Sequence, residues 1–188
     1  MSTYVPLLRG INVGGHNRVA MPELRQVVTS LGHTDVATYI QSGNVVFAAK
    51  PTDTAALSTD LEQAITKSLG VKPRVVVLSR EELAKVVDAN PYQDEPDPRK
   101  VHVIFLGDNP GAEAKKAVAS AERHAAHKGG NDTAQVVGRA IFLHTPEGFG
   151  RSELAALLAR GQGPSAMGTA RNWATVTKLL AMCDDLGS

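Results

Sequence analysis

Gly43-Asn44, set between the β-rich runs 36–41 and 45–49, obliges the chain to double back early, because glycine followed by asparagine between two strands signals a tight hairpin. What flanks the hairpin then narrows the fold. A short buried strand is expected over 3–9. Met21-Pro22-Glu23 opens a helix with proline in its first turn, Leu24, Val27, Val28 and Leu31 recur at helical spacing, and Gly32 supplies a left-handed stop. After the hairpin, Asp53 or Thr54 starts a second helix striped by Leu57, Leu61, Ala64, Ile65 and Leu69 and ended by Gly70, and 73–78 reads as a fourth strand. Residues 3–78 therefore give β-α-β-β-α-β, the order of a ferredoxin-like split module.

The second half repeats most of that order. Ser79 and Glu82 form a capping box for a helix carrying Leu83, Val86 and Val87, which stops at Asn90-Pro91. Pro91, Asp94, Glu95, Pro96, Asp97 and Pro98 leave little that can pack, so 91–100 is expected to be a rigid polar connector. A strand follows over 101–106, then an alanine-rich helix opened by Asn109-Pro110 and ended at Gly129-Gly130. A second hairpin about Gly138-Arg139 joins strands 135–137 and 140–144, and Ser152 caps a short helix containing Leu154, Leu157 and Leu158. A glycine-rich loop at 161–168 and a helix from about 170 to 184 stand where a closing strand, the sixth element, would complete the pattern. The expected fold class is α+β, with two ferredoxin-like subdomains packed into one unit. The expected division is a first subdomain at 1–78, a connecting helix and linker at 79–100, and a second subdomain with a C-terminal helix at 101–188. No residue-level repeat links the halves.

Composition limits the partners. Hydrophobic residues make up 43% of the 188, enough for a real core, and Lys+Arg at 20 against Asp+Glu at 19 gives a formal net charge of +1. No global field attracts nucleic acid or a membrane surface, so any such partner must be met by a local patch. Cys183, the one cysteine, excludes an internal disulfide and a thiolate metal cage. It falls on the apolar stripe of the last helix and reads as inert core. With no apolar run near the ~18 residues needed to span a bilayer and no leader pattern, the expected location is cytoplasmic with no membrane partner.

Three polar clusters carry the candidate chemistry. In Leu7-Leu8-Arg9-Gly10-Ile11-Asn12-Val13-Gly14-Gly15-His16-Asn17-Arg18 an apolar strand runs into glycines that can turn backbone N–H groups toward a ligand, framed by Arg9 and Arg18. The spacing matches neither the Walker lysine loop nor the dinucleotide glycine fingerprint. Ser42-Gly43-Asn44 is first a turn, yet a right-handed crossover would bring Gln41 and this tip to the rim that carries Arg9. In Gly168-Thr169-Ala170-Arg171-Asn172-Trp173, Thr169 suits an N-cap, and the first-turn N–H groups beside Arg171 would make a small anion site. Trp173, Val176, Leu180 and Cys183 fall at core spacing, with Arg171, Thr175 and Lys178 on the opposite face.

Other patterns are weaker. His124 and His127 lie three apart on a helix but lack a third ligand, so no metal is expected. Asp94, Glu95 and Asp97 sit in a proline-rich setting that favours solvation over acid/base work. Ser42 or Ser152 as a nucleophile would need a positioned base, and the sequence places none.

Leu8-Arg9-Gly10-Ile11-Asn12-Val13-Gly14-Gly15, Met21-Pro22-x-Leu24, Thr38-Tyr39-Ile40-Gln41-Ser42-Gly43-Asn44-Val45-Val46-Phe47, Val101-His102-Val103-x-Phe105-Leu106 and Thr169-Ala170-Arg171-Asn172-Trp173-x-Thr175-Val176 together resemble the family called domain of unknown function 1697. The match spans nearly the whole chain, and it departs only at Ala170, where a second threonine is common. The resemblance implies two α+β subdomains of similar, ferredoxin-like topology. It also implies that Arg9, Gly10, Asn12, Gly14, Gly15, Ser42, Gly43, Asn44, Arg171 and Asn172 are signature positions. It brings no reaction and no cofactor.

The expected ligand-binding residues are Arg9, Gly10, Asn12, Gly14, Gly15, Arg18, Gln41, Ser42, Gly43, Asn44, Thr169, Arg171 and Asn172, with no catalytic residue assigned. The first expectation is a phosphate-bearing ligand, either single-stranded nucleic acid or a nucleotide, held by backbone amides and arginines and read by Asn12, Gln41 and Asn44. An aromatic content of 4% leaves few stacking platforms for it. Two alternatives stay open: an enzyme acting on a small anionic metabolite in the cleft between subdomains, and polar motifs that only brace the structure. Oligomeric state is not legible.

Overall fold

The computed structural model describes residues 1–160 and 168–186, so the loop expected over 161–168 lies outside the described residues except for Gly168. The chain divides into two compact units, residues 1–85 with 178–188, and residues 86–177.

In the first unit, β1 (Ser2–Arg9), α1 (Met21–Ser30), β2 (Thr34–Tyr39), β3 (Asn44–Ala49), α2 (Thr54–Leu69) and β4 (Arg74–Ser79) follow the expected order. The sheet runs β2-β3-β1-β4, and β1 pairs antiparallel with both β3 and β4 while β2 pairs antiparallel with β3. β1 and β2 therefore point the same way with β3 between them, and their C-terminal ends share one rim. One face of this sheet meets α1 and α2 through Tyr4, Leu8, Phe47, Val75 and Val77 against Leu24, Val28, Leu61 and Ile65. Each such burial contributes up to about 1.5–3 kcal/mol. The alternate residues Val5, Leu7, Val46, Val76 and Leu78 are buried as well.

The helix ends follow the sequence signals closely. Asp53 accepts the Ala56 N–H at 2.9 Å to cap α2, and Gly70 closes that helix at φ +70°. Ser79 and Glu82 make their reciprocal box at 2.8 and 3.1 Å, starting α3 (Arg80–Asp88).

The second unit contains β5 (Val101–Phe105), α4 (Gly111–His127), β6 (Thr133–Val137), β7 (Ala140–His144), α5 (Glu153–Arg160) and β8 (Thr169–Asn172); α6 (Trp173–Leu186) follows. Its sheet order, β6-β7-β5-β8, repeats that of the first, around a core of Ile104, Leu106, Ile141, Leu143, Leu154 and Leu158. Strand β8 corrects the sequence expectation. Residues 169–172 pair antiparallel with β5, His102 opposite Asn172 and Phe105 opposite Thr169, so this half also closes as β-α-β-β-α-β. α6 begins at Trp173, and its cap is Asn172, whose Oδ1 accepts the Thr175 N–H at 2.8 Å. Thr169 is no N-cap; it is a buried strand residue. Gly168 enters β8 where a Cβ would collide with Ile104 and would stand 2.9 Å from the Phe105 carbonyl oxygen, so only glycine fits.

Residues 91–100 are exposed or half-buried throughout, as a polar connector should be, but they pack more than expected. Asn90 is buried and its Oδ1 accepts the Tyr92 N–H at 2.9 Å. The Tyr92 hydroxyl accepts from Thr133 Oγ1 at 3.0 Å, and its ring stacks on His144 at 5.3 Å. Glu95 accepts the Asp97 N–H at 3.0 Å and lies 2.7 Å from His144 Nε2. The segment is thus tied to β6 and β7 by contacts that proline and charge content did not foretell.

Candidate binding site

The rim shared by β1 and β2 collects most of the candidate residues. Asn12 stands at its centre in the left-handed region, φ +53°. Its Nδ2 donates to the carbonyls of Val19 and Gln41, both at 2.9 Å, and its Oδ1 accepts the Val19 N–H at 2.9 Å. Both amide protons are thereby committed, and the loop after β1 is fastened to the hairpin after β2. Asn17, at φ +49°, donates to the Gly10 carbonyl at 2.8 Å. Asn44 is fully buried, and its Nδ2 donates to the Tyr39 carbonyl at 3.0 Å and to Ser42 Oγ at 2.9 Å. The Gly43 carbonyl accepts the Leu8 N–H at 2.9 Å. A Cβ on Gly43 would meet Leu8 Cβ at 2.7 Å and Ile11 Cδ1 at 2.8 Å, and its φ is +77°.

Asn12, Ser42, Gly43 and Asn44 are accordingly parts of a brace. What the brace supports is an open groove of about 420 Å³ lined by Asn12, Gly15, Arg18, Val19, Ala20 and Gln41. Gly14 and Gly15 are exposed at φ +58° and +79°. Arg18 is exposed, and its guanidinium has no hydrogen bond or ion pair among the described residues; the side-chain amide of Gln41 is equally uncommitted. Among the described residues no carboxylate lines the groove, and Ala20, at the N-cap of α1, provides no side-chain cap to that helix. Arg9 ends β1 half-buried, opposite Arg74 of β4.

The remaining three candidates belong to the second unit. Arg171 sits on β8 rather than on an exposed helix face, and it is buried, with Nη1 donating to Thr169 Oγ1 and the Ala170 carbonyl, both at 2.8 Å. Burial pulls its pKa down to about 10. Asn172 is occupied as the cap of α6. Thr175, expected beside Arg171 on the polar face, is buried, while the helix presents Val176, Leu179 and Cys183 to the interior. Trp173 is half-buried, its ring tilted against Phe142 at 6.5 Å. Burial pushes the Cys183 thiol up to about 12, leaving it unreactive as a thiolate.

The family model described as a protein of unknown function, DUF1697, matches residues 1–142. The chain belongs to the DUF1697 family. Among solved structures, conserved bacterial protein SP0830 from Streptococcus pneumoniae is similar over 97% of this chain and 98% of its own, with 26% sequence identity and a TM-score of 0.74. No curated protein matches. In this DUF1697 chain the motif stretches at 8–15 and 38–47 converge on one rim, whereas the stretch at 169–176 forms β8 and the start of α6.

Ser152, weighed as a nucleophile, is a helix cap: its Oγ accepts the Ala155 N–H at 2.9 Å and donates to Asp132 Oδ2 at 2.7 Å. Among the described residues, no cluster of His, Cys, Asp and Glu suits a metal ion, and no helix is long and apolar enough to cross a membrane. Sequence reasoning missed the Glu95–His144 pair. The Asp97 N–H, and then His144, hold the Glu95 carboxyl below the usual carboxylate range. Only the fold joins these residues, because a proline-rich stretch and a strand end carry no shared local signal. It also missed Ile40, a β-branched residue at φ +49°.

Proposed function

We propose that the protein binds a phosphate-bearing ligand, a nucleotide or single-stranded nucleic acid, in the groove at the β1–β2 rim. The observation that carries this reading is Arg18, an exposed guanidinium with no acidic partner among the described residues, beside the left-handed Gly15 and the uncommitted amide of Gln41. Arginine presents a planar fork of donors suited to phosphate oxygens, and a glycine at positive φ lets backbone approach a ligand without Cβ interference. The near-neutral net charge makes binding depend on this local patch rather than on the field of the whole molecule. The bracing of Asn12 and Asn44 fits the same reading, since a rigid rim holds the groove at no cost to the groups that face it.

The test is a fluorescence-anisotropy titration of the full chain against labelled single-stranded and duplex oligonucleotides, at low salt and at about 150 mM, where counterion release weakens phosphate-led binding. Single-strand binding that falls with salt and drops about tenfold in Arg18→Ala, at unchanged melting temperature, is the expected result. If no phosphate-bearing probe binds at micromolar protein, or if Arg18→Ala binds as the parent does, the reading fails.

A further inference from the structure

Ile40 is an anomaly on its own terms. A β-branched residue at φ +49° is strained, since the left-handed region brings Cβ against its own carbonyl and is populated chiefly by glycine, asparagine and aspartate. Strain of this kind persists where surrounding structure or function maintains it. Yet Ile40 is 51% exposed, so burial does not account for an isoleucine there. Val13, in the loop after β1, is 69% exposed. Each stands one residue along the chain from an end of one hydrogen bond: Val13 follows Asn12, Ile40 precedes Gln41, and Asn12 Nδ2 donates to the Gln41 carbonyl at 2.9 Å. Two large exposed aliphatic residues are thus chain neighbours of Asn12 and Gln41, which line the open groove with Arg18.

We infer that Val13 and Ile40 are the apolar platform for a nucleobase whose phosphate is held at Arg18. This rests on the phosphate-binding reading above and says what else the ligand must carry. A base needs an apolar surface for its face and a group that both donates and accepts for its edge; aliphatic side chains supply the first and a side-chain amide the second. An acidic peptide would use the arginine and leave the amide without a matching planar edge. The 4% aromatic content therefore does not exclude base recognition, because the stacking surface here is aliphatic. The shared chemistry, a base with an attached phosphate, can come from a free nucleotide or from a single strand.

Isothermal titration of the full chain with pyrophosphate, a nucleoside monophosphate and a short oligodeoxythymidylate separates these cases. The base-bearing probes are expected to bind about tenfold or more tightly than pyrophosphate. Ile40→Asn, which suits the left-handed backbone, and Val13→Ser are expected to remove that advantage while leaving pyrophosphate affinity unchanged and without lowering the melting temperature. A preference for the oligonucleotide over the monophosphate assigns the site to single strands, and equal affinity assigns it to nucleotides. Equal binding of base-bearing and base-free probes, or unaltered base preference in Ile40→Asn, overturns the platform while leaving Arg18 as a phosphate site. Loss of a concentration-dependent dimer in Ile40→Asn, with no change in base preference, assigns the patch to self-association and overturns it too. Absence of binding by all three probes removes both readings together.

Discussion

Leu8 and Leu106 occupy the same place in their two sheets, and the rims they face could hardly differ more. Each donates its N–H across the central strand pair to a hairpin carbonyl, Leu8 to Gly43 at 2.9 Å and Leu106 to Arg139 at 2.8 Å. Beyond that shared bond the units diverge. In the first, the connection from β1 to α1 runs over 10–20, with Asn12 fastening it and Arg18 left uncommitted. In the second, β5 reaches α4 over 106–110, the hairpin is the tight pair Gly138-Arg139, and Arg139 folds back so that Nη1 donates to the Gly107 carbonyl at 2.7 Å. The same strand order supports a groove in one unit and a closed turn in the other. The candidate site is therefore a property of loop length and loop chemistry laid on a repeated frame.

The largest expected contrast lies at the two hairpin glycines. Gly43→Ala must accept both a left-handed backbone and a Cβ within 2.8 Å of Leu8 and Ile11 atoms, whereas a Cβ on Gly138, at φ +57°, meets nothing within 4 Å. We expect Gly43→Ala to cost roughly 3 kcal/mol or more and Gly138→Ala about 1 kcal/mol, the latter from backbone strain alone. Urea denaturation followed by circular dichroism measures both. Equal losses would mean that the first hairpin is not seated against β1 as described.

That contrast also shows what sequence can and cannot reveal. The first unit was readable because its signals are local: Asp53 and Gly70 bracket α2, Ser79 and Glu82 lie three residues apart, and Gly43-Asn44 marks its own turn. β8 was not, since Thr169-Ala170-Arg171-Asn172 has no apolar alternation and its partner strand is β5, far back in the chain. A threonine followed by a helix-compatible run looked like a cap, while the true cap was Asn172 at the same three-residue spacing to Thr175. Arg9 and the hairpin tip after Gln41 were placed on one rim by crossover topology alone, and β1 and β2 do run the same way. Which donors remain uncommitted there depends on hydrogen-bond geometry that no spacing encodes.

The rim of the first unit and the 91–100 segment of the second are also held by different chemistry, which acid should expose. In the second, Glu95 and Asp97 order the 91–100 segment: the Arg99 side chain and then the Arg99 N–H bring Asp97 down to about 2, and the Asp97 N–H and His144 lower Glu95. Carboxyls with depressed folded-state pKa values stabilise above their unfolded values, near ~4, and that contribution is lost as pH falls through the folded ones. Amide exchange at Asp97 and Arg99, whose N–H groups these carboxylates accept, should therefore lose protection between roughly pH 4 and 2. The first rim relies on the amide of Asn12, so protection of the Val19 N–H should stay level over that range. Parallel loss at Val19 would show that the two segments open together and that the contrast is false.

The smallest effect discriminates most finely between the rims. Arg139 is committed to its own loop, and removing its side chain forfeits at least the bond to the Gly107 carbonyl, a solvent-exposed contact. Arg18 has no bond of its own among the described residues to lose. In thermal melts of the full chain, Arg139→Ala should cost about 0.5 kcal/mol and Arg18→Ala less than about 0.3 kcal/mol. The order of the two values is what matters. An Arg18→Ala variant less stable than Arg139→Ala would make Arg18 a strut like its neighbours Asn12 and Asn44, and the Gln41 amide alone would then be left to face a ligand in the groove.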